Sequence, residues 1–411
     1  MSPWRLWAAV IAPFGLGYFM SYLLRAVNAV VVADLERDVG VTAEGLGLIT
    51  AAYLFGFGAF QLPLGALLDR FGPRRVQACL LMVSAAGSLL FAIGESADML
   101  IVARLLIGLG FAGGLMASFK AVVLWAPPGR VPLFNSLVMV FGGFGVLAAT
   151  APAHMAVAAW GWREVFTGLG GAIALAAAAI FLLAPRERSN MLSKGGFRTQ
   201  FAGIARVYRN RVFWSLAPII AGTCGGHIAL QTLWAAPWLR DVGGLGPEQV
   251  ASTLSLMAVA FIAGILLAGV LGDWANRRGI PLMTVVEVIV AVCLASLLAI
   301  ALGLWPPATA FWVVFAMTGQ MTILSYAYLS AYFGSVLAGR ANTALNLLVF
   351  LGAFAIQYAI GGLLDFWTAV NGRYPQEAYQ AALGGLVGLQ LLAWAWYRLS
   401  RPRQVAAGQG R

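Results

Sequence analysis

Long apolar runs separated by short polar intervals extend along the whole chain. A helix that crosses a membrane needs about 20 consecutive apolar residues, so each run of that length predicts one span. The chain has twelve such runs, at residues 6–32, 43–68, 76–94, 99–124, 132–157, 165–184, 212–238, 249–271, 281–304, 309–335, 343–364 and 378–397. The pattern predicts an all-α integral membrane protein with 12 transmembrane helices in two six-helix bundles.

The longest polar interval inside the chain, 185–211, lies between the sixth and the seventh run. It predicts an N-terminal six-helix bundle at 1–184, a cytoplasmic linker at 185–211, and a C-terminal bundle with a short cytoplasmic tail at 212–411. Such a linker lets two rigid halves move against each other and can attach to lipid headgroups.

Composition and charge agree with a membrane location. The chain is 61% hydrophobic and 10% charged, whereas soluble domains are about 25% charged. If the N-terminus is cytoplasmic, the inner loops hold 19 lysines and arginines and the outer loops hold four. Basic residues favour the cytoplasmic side and anionic lipid. We therefore expect a bacterial inner membrane protein with both termini cytoplasmic, and the net charge of +11 does not indicate nucleic-acid binding.

A charged loop occurs twice, with Asp69 and Asp273 separated by 204 residues. The first copy contains Gly65, Asp69, Arg70, Gly72, Arg74 and Arg75, and the second contains Asp273, Arg277 and Arg278. We expect the arginines to lie in cytoplasmic water.

The first copy resembles the loop between helices 2 and 3 of the major facilitator superfamily, and the second resembles the loop between helices 8 and 9. This resemblance implies a secondary transporter with alternating access. It also implies that these loop residues are parts of a gate that latches the inner ends of the bundles.

The first span contains Arg25, although a cation near the bilayer centre costs about 2.5–3.5 kcal/mol. Helical spacing places it on one face with Tyr18, Tyr22 and Asn28. One interpretation is a cation in a water-filled cavity that pairs with an anionic substrate. The other is an arginine that snorkels outward or pairs with a carboxylate.

The segments from Arg25 to Asn28 and from Gln61 to Arg75 resemble the anion:cation symporters of the same superfamily. That resemblance implies that Arg25 binds a substrate carboxylate. Those transporters commonly have an aspartate just before this arginine, where this chain has Leu24. The proton-coupling site of those transporters therefore has no counterpart here.

Other polar side chains inside the predicted spans are further candidates for the site. Besides the residues of the first span, the predicted substrate-binding residues are His227, Gln231, Gln320, Tyr328 and Gln357. For His227, a packing role is the alternative. Arg104 is a candidate for coupling, structure or substrate contact, and Glu287 for coupling or for an ion pair near Arg277 and Arg278.

The predicted function is secondary active transport of a small solute, with an organic anion taken up by alternating access. H⁺ or Na⁺ is the expected coupling ion, membrane lipid a partner, and a monomer the expected state, with no cofactor or metal. Catalysis is not expected, because the two histidines, His154 and His227, lie on different predicted helices.

Three rival functions remain. Drug antiporters of the superfamily have a Gly-x-x-x-Gly-Pro-x-x-Gly-Gly run in helix 5, where this chain has Gly142-Gly143-Phe-Gly145 and a later Pro152. This difference argues against proton-driven efflux. Copper or other metal transport rests on Met317 and Met321, with Cys224 and His227 as further ligands. A transporter-like sensor that binds without flux is the third rival.

Overall fold

The structure, a computed structural model, describes residues 3–127, 131–187, 197–304, 308–370 and 372–400. The α-helices up to residue 208 are α1 (Pro3–Leu6), α2 (Ala12–Ala26), α3 (Asn28–Val39), α4 (Ala43–Ala92), α5 (Ala97–Phe111), α6 (Gly114–Trp125), α7 (Val131–Ala148), α8 (Ala151–Trp160), α9 (Trp162–Leu183) and α10 (Phe197–Tyr208). They are followed by α11 (Arg211–Ala229), α12 (Ala235–Asp241), α13 (Pro247–Arg277), α14 (Leu282–Ala301), α15 (Ala308–Met321), α16 (Leu324–Leu364) and α17 (Gln376–Ser400). The described residues also include two π-helical segments, Trp7–Ile11 and Leu230–Trp234, which precede α2 and α12.

Among the residues that the structure describes, eleven helical stretches are long and apolar enough to cross a membrane, and a bent pair makes a twelfth if it is one span. The pair is Leu137–Ala148 with Ala151–Trp160, bent by 49°. Pro152 lies in the first turn of α8; it has no N–H to donate to the Ala148 carbonyl oxygen and its ring would clash with that group, so α7 cannot continue as one straight helix. Within the described ranges, the only β pairing is an isolated bridge between Val370 and Arg373. The predicted all-α membrane fold is confirmed.

The chain forms two compact units. Unit 1 consists of Met1–Val41 and Leu48–Phe201, and unit 2 of Thr42–Gly47 and Ala202–Arg411. The predicted division at residues 184 and 212 stays a prediction.

Glycines let helices approach closely within each unit. In unit 1, a Cβ on Gly108 of α5 would lie 2.0 Å from the Tyr53 carbonyl oxygen of α4. In unit 2, a Cβ on Gly264 of α13 would lie 2.3 Å from the Met317 carbonyl oxygen of α15. Small residues at such crossings are typical of membrane helix packing.

The segment Trp160 to Arg163 is only partly the interfacial anchor that its aromatic residues suggest. Trp160 is 70% exposed, but Trp162 is 3% exposed and its indole nitrogen donates to Asp38 Oδ2 at 2.9 Å. Arg163 donates to the Ala92 carbonyl oxygen at 2.9 Å. These two side chains connect helices of unit 1, because both find hydrogen-bond acceptors at nearby helix ends.

Candidate functional site

Arg25 lies near the end of α2 and is 7% exposed. Its guanidinium carbon lies 4.5 Å from the ring centre of Tyr22, 4.9 Å from that of Phe57 and 5.9 Å from that of Tyr53. Aromatic faces attract a cation, and the attraction grows when water is excluded. The surrounding rings therefore stabilise a charge that would be costly in hydrocarbon.

Tyr18 and Tyr22 form an edge-to-face pair with ring centres 5.1 Å apart. Both lie against α7, where a Cβ on Gly142 would be 2.6 Å from the Tyr18 ring and 3.1 Å from the Tyr22 ring. Gly145 has the same role one turn later, since its Cβ would lie 2.2 Å from the Phe19 carbonyl oxygen. The glycine run of α7 thus makes room for the tyrosines beside Arg25.

Asn28 lies beyond a break in the helix, because α2 ends at Ala26 and α3 begins at Asn28. Its amide nitrogen donates to Thr50 Oγ1 of α4 at 2.8 Å. Asn28 Oδ1 is buried and has no hydrogen-bond partner among the described residues. The structure brings Tyr18, Tyr22 and Arg25 into contact, and it gives Asn28 a partner on α4.

Sequence reasoning missed Tyr53, Phe57 and Thr50, the residues of α4 that complete these surroundings. Tyr53 and Phe57 are one helical turn apart and stack with ring centres 6.2 Å apart. Their i, i+4 spacing signals a shared face. The sequence contains no sign that this face meets Arg25, because α2 and α4 are separate elements.

Arg104 of α5 is fully buried, and its position points to a structural role. Its Nη1 donates to the Leu24 carbonyl oxygen at 2.7 Å. Its guanidinium carbon lies 4.8 Å from the Phe91 ring centre and 5.5 Å from that of Phe166. Leu24 belongs to the last turn of α2, where carbonyl groups lose their intrahelical donors. Arg104 therefore satisfies the end of the helix that carries Arg25.

His227 of α11 is 2% exposed and has aromatic neighbours. Its ring is nearly parallel to that of Phe261, at 6.0 Å, and lies 5.5 Å from that of Phe315. A Cβ on Gly319 would be 2.3 Å from His227 Nδ1, so only glycine fits there. Neither ring nitrogen has a hydrogen-bond partner within the described ranges. Such buried polar atoms are costly and call for a ligand, water or a movement that satisfies them.

Gln231 lies in the π-helical segment that directly follows α11. Single π turns inside α-helices are frequent at functional sites. Its Nε2 and the hydroxyl of Thr223 are buried without a partner in the described part of unit 2. The side-chain oxygen and nitrogen of Gln357 on α16 are likewise buried without a hydrogen-bond partner in the described part of the chain. Unit 2 therefore contains several buried polar groups available for hydrogen bonds.

The remaining predicted residues of unit 2 differ in burial and in contacts. Tyr328 is buried on α16. The Gln320 side chain lies outside the described residues. Glu287 is 8% exposed, and its Oε2 lies 2.8 Å from Arg398 Nη2 on α17. An ion pair is one of the two roles expected for Glu287, and the partner that the structure describes is Arg398, because α17 packs on α14.

In the parts of the chain that the structure describes, no three His, Cys, Asp or Glu residues form a metal-binding group. Cys224 instead contacts the hydroxyl of Thr322, with sulfur and oxygen 2.8 Å apart. Met321 is buried. Packing and hydrogen bonding account for the described contacts of these residues.

The first charged loop is a tight break within α4. Gly72 has φ +80° and ψ 160°, a conformation that is nearly exclusive to glycine. The Arg74 backbone nitrogen donates to Glu187 Oε1 at 2.9 Å, and its guanidinium donates to the Phe181 carbonyl oxygen near the end of α9. Arg74 is only 7% exposed, so the expectation that all the loop arginines lie in water is wrong for this residue. It is buried because it caps α9.

Most of the other predicted gate residues are exposed to solvent. Gly65 is in the first part of α4, Arg70 and Arg75 are exposed, and the side chain of Asp69 lies outside the described residues. In the second loop, Asp273, Arg277 and Arg278 are exposed. Arg277 Nε is 3.4 Å from the Asp273 carbonyl oxygen, a contact within one helical turn.

Comparison with known proteins agrees with this fold. Residues 14–357 match the model of the Major Facilitator Superfamily. A relative from Cupriavidus necator, named probable sulfoacetate transporter SauU, is 29% identical over 277 residues, which are 64% of this chain and 64% of that protein. The match therefore spans less than two thirds of that relative. The chloramphenicol resistance protein of Streptomyces lividans is 26% identical over 66% of this chain and 67% of that protein.

A solved structure supports the same fold. The bacterial homologue of the human lysosomal transporter Spinster superposes with a TM-score of 0.76 at 18% identity, over 97% of both chains. At that identity the likeness extends to the fold alone. The family match covers most of the chain and its helices are those of a membrane protein, which confirms the expectation of a transporter rather than an enzyme. This protein is a multi-pass membrane protein that belongs to the Major Facilitator Superfamily.

Proposed function

We propose that this transporter imports a small organic anion and that Arg25 binds its carboxylate or sulfonate group. The observation that carries the proposal is a buried guanidinium whose carbon lies 4.5 Å from the ring centre of Tyr22 and 4.9 Å from that of Phe57. Ring stacking uses the faces of a guanidinium, whereas its hydrogen bonds lie in its plane. A planar, doubly hydrogen-bonded anion such as a carboxylate suits that arrangement.

The charge balance inside unit 1 supports an anionic solute. In the sequence, Arg25, Arg104 and Lys120 lie within the first six predicted spans, and the acid within those spans is Glu44, at the start of the second. The interior of this half is therefore positive. Positive cavities with low-dielectric walls concentrate anions.

The named relatives support two candidate functions. Sulfoacetate carries a sulfonate and a carboxylate, and the relative named for it supports an organic anion for this chain. The relative named for chloramphenicol resistance favours drug efflux as the second candidate. Organic anion uptake is the stronger candidate, because an uncharged drug gives no reason to keep a costly buried arginine.

In unit 2, several polar groups are proposed as solute-binding residues. His227, Gln231 and Gln357 have buried atoms without described partners, and Gln320 and Tyr328 are assigned to the same role. Coupling to H⁺ or Na⁺ is part of the proposal. Arg104 bonds to Leu24, and these surroundings do not require a coupling role. Glu287 pairs with Arg398, and its surroundings do not require one either.

The cellular setting is also proposed. The relatives are bacterial, which supports the inner membrane, and the excess of basic residues in the predicted inner loops supports cytoplasmic termini. We propose that the protein works as a monomer among anionic lipids. Reporter fusions at both termini test the orientation, and a periplasmic signal from either terminus contradicts it.

Uptake measurements in proteoliposomes test the anion proposal. Candidate organic acids, including sulfoacetate, are first ranked by the thermal stabilisation that they give. For the best ligand, Arg25→Met is expected to lower transport efficiency about 100-fold, which is within the cost of removing one partner of a buried charge pair. Arg25→Lys keeps the charge but loses the planar fork, so an intermediate loss is expected.

Arg37→Met is the matched control, because Arg37 is an exposed arginine paired with Asp34 and Asp38. It should transport like the wild type. Undiminished transport by Arg25→Met contradicts the proposal. Chloramphenicol efflux by vesicles, with no uptake of any organic acid, would favour the second candidate. Ligand binding without flux would identify a sensor.

A further inference from the structure

We propose that unit 2 binds the phosphate group of an anionic phospholipid at the corner between α10 and α11. The corner consists of residues 203–214, together with neighbouring side chains from α16 and α17. The site rests on the proposed setting among anionic lipids and adds the place where one such lipid is bound. Arg25 and the transported solute take no part in it.

Four arginines gather at this corner. Arg206, Arg209 and Arg211 follow one another closely in the chain, and all three are exposed. Arg340 reaches the corner from α16, since a Cβ on Gly203 would lie 2.3 Å from its Cδ and 2.6 Å from its Nη1. Positive charges on neighbouring helical turns repel each other, so an anion among them stabilises the corner.

Acidic side chains do not pair with these four arginines among the described residues. The described ion pairs use other arginines, namely Arg37, Arg240 and Arg398. The three helices α10, α11 and α16 contain no aspartate or glutamate. In the sequence, no acid lies between Glu187 and Asp241. The corner is therefore a positive surface that is complementary to an anionic ligand.

Hydrogen bonds hold the corner against three other helices. The Tyr208 hydroxyl donates to the Ala344 carbonyl oxygen of α16 at 3.0 Å. The Trp214 indole nitrogen of α11 donates to the Tyr208 carbonyl oxygen at 2.6 Å. The Trp396 indole nitrogen of α17 donates to the Trp214 carbonyl oxygen at 2.9 Å. Because the backbone is fixed in this way, a ligand that binds the corner does not have to order it first.

The tryptophans indicate that the corner lies at the surface of the membrane. Trp214 and Trp396 are exposed, although the N–H group of each is bonded within the protein. Leu392 and Leu399 on the same helix as Trp396 are also exposed. Exposed indole rings beside exposed leucines are typical of the headgroup level of a bilayer. Arginines at that level meet lipid phosphates, which favours a lipid over a soluble anion.

The chemistry of the headgroup decides which lipid fits. A guanidinium group binds phosphate oxygens through two parallel hydrogen bonds. Clustered basic residues next to membrane spans attract lipids with a net negative charge. A zwitterionic lipid has a cation beside its phosphate, and this cation is repelled by the arginines. We therefore expect an anionic phospholipid to bind in preference to a zwitterionic one.

Thermal melting of the purified full-length protein in mixed micelles tests the site without any transported solute. Phosphatidylglycerol is compared with phosphatidylcholine and with inorganic phosphate. Phosphatidylglycerol is expected to raise the melting temperature by about 2 °C or more, with saturation, and the other two by clearly less. The double variant Arg209→Gln, Arg211→Gln should need about 30-fold more phosphatidylglycerol for half of the shift, because each arginine near the headgroups contributes a factor of about five.

The double variant Arg277→Gln, Arg278→Gln is the matched control. It also removes two exposed arginines of unit 2 from a loop that is predicted to be cytoplasmic. Half of its shift should occur at the wild-type concentration of phosphatidylglycerol. An equal loss in both double variants would mean that diffuse charge, and not the corner, attracts the lipid, and it would overturn the proposal.

Three further results would overturn it: equal shifts with the two lipids, an equal shift with inorganic phosphate, or an unchanged half-point in the corner variant. If the corner variant does not fold, a cryo-electron microscopy map of the wild type with phosphatidylglycerol decides the question. Headgroup density against Arg209 or Arg211 supports the site, and a map without it rejects the site. Failure here leaves the role of Arg25 intact, and a failure of solute uptake leaves the lipid shift unchanged.

Discussion

The two copies of the charged loop have similar sequences and different structures. In the first, Gly72 breaks α4 and the next helical residues follow at once, with Arg74 buried against the end of α9. In the second, α13 ends at Arg277, and Gly279 with φ +66° reverses the chain. The Ile280 nitrogen donates to the Ala275 carbonyl oxygen, which is the longer hydrogen bond of a Schellman motif.

The difference shows that a repeated motif need not keep the position of its turn or its contacts. Both loops use a glycine with positive φ between two helices, but Gly279 lies 207 residues after Gly72, whereas the two aspartates are 204 residues apart. In unit 1, Phe181 and Glu187 supply acceptors that draw Arg74 out of water. In unit 2, Arg277 and Arg278 remain exposed. The first loop is therefore part of the packing of its unit, and the second is a surface connection.

The largest expected effect that separates the two loops comes from replacing their glycines. Gly72→Ala should destabilise the protein by about 2–3 kcal/mol, because alanine is strained in this backbone region and its Cβ would lie 2.5 Å from the Glu187 carboxylate. Gly279→Ala meets no atom within 4 Å, so only strain of about 1 kcal/mol is expected. Unfolding in detergent measures both, and equal losses would remove the distinction.

The second effect concerns the arginines. Arg74→Met should cost about 2 kcal/mol, because it removes both hydrogen bonds to the Phe181 carbonyl oxygen and leaves that group unsatisfied. Arg277→Met should change stability by less than about 0.5 kcal/mol, as is usual for an exposed side chain. The same unfolding measurement applies. A large loss in Arg277→Met would mean that the second loop also has a packing role.

The smallest effect comes from the acids. Glu187→Gln keeps an oxygen that can accept from the Arg74 backbone nitrogen but loses the charge, so a loss of about 0.5–1 kcal/mol is expected. Asp273→Asn is the control, since the described bond at Asp273 uses its backbone oxygen. Its melting temperature should equal that of the wild type. If both variants melt alike, the Glu187 charge contributes nothing to the first loop.

Local features were predictable from the sequence. The apolar runs predict the spans because a bilayer of constant thickness requires runs of constant length. Spacing along one helix also places Tyr22 beside Arg25, since the helical period sets which residues share a face. For this reason Tyr22 lies beside Arg25 in the structure, as its spacing predicts.

Contacts between distant elements were not predictable in the same way. Thr50 as the partner of Asn28, Trp162 as a donor to Asp38 and Arg398 as the partner of Glu287 all lie on other helices. Hydropathy does not encode which helices become neighbours or how they rotate. For this reason the burial of Arg74 was missed, although its loop was recognised.

The sequence by itself determined the spans, the repeat and the presence of a costly arginine in the first helix, because these follow from local composition and period. Only the tertiary structure decided what surrounds that arginine and which polar atoms find no partner. Those outcomes depend on helix packing, in which residues far apart in the chain compete for the same few acceptors.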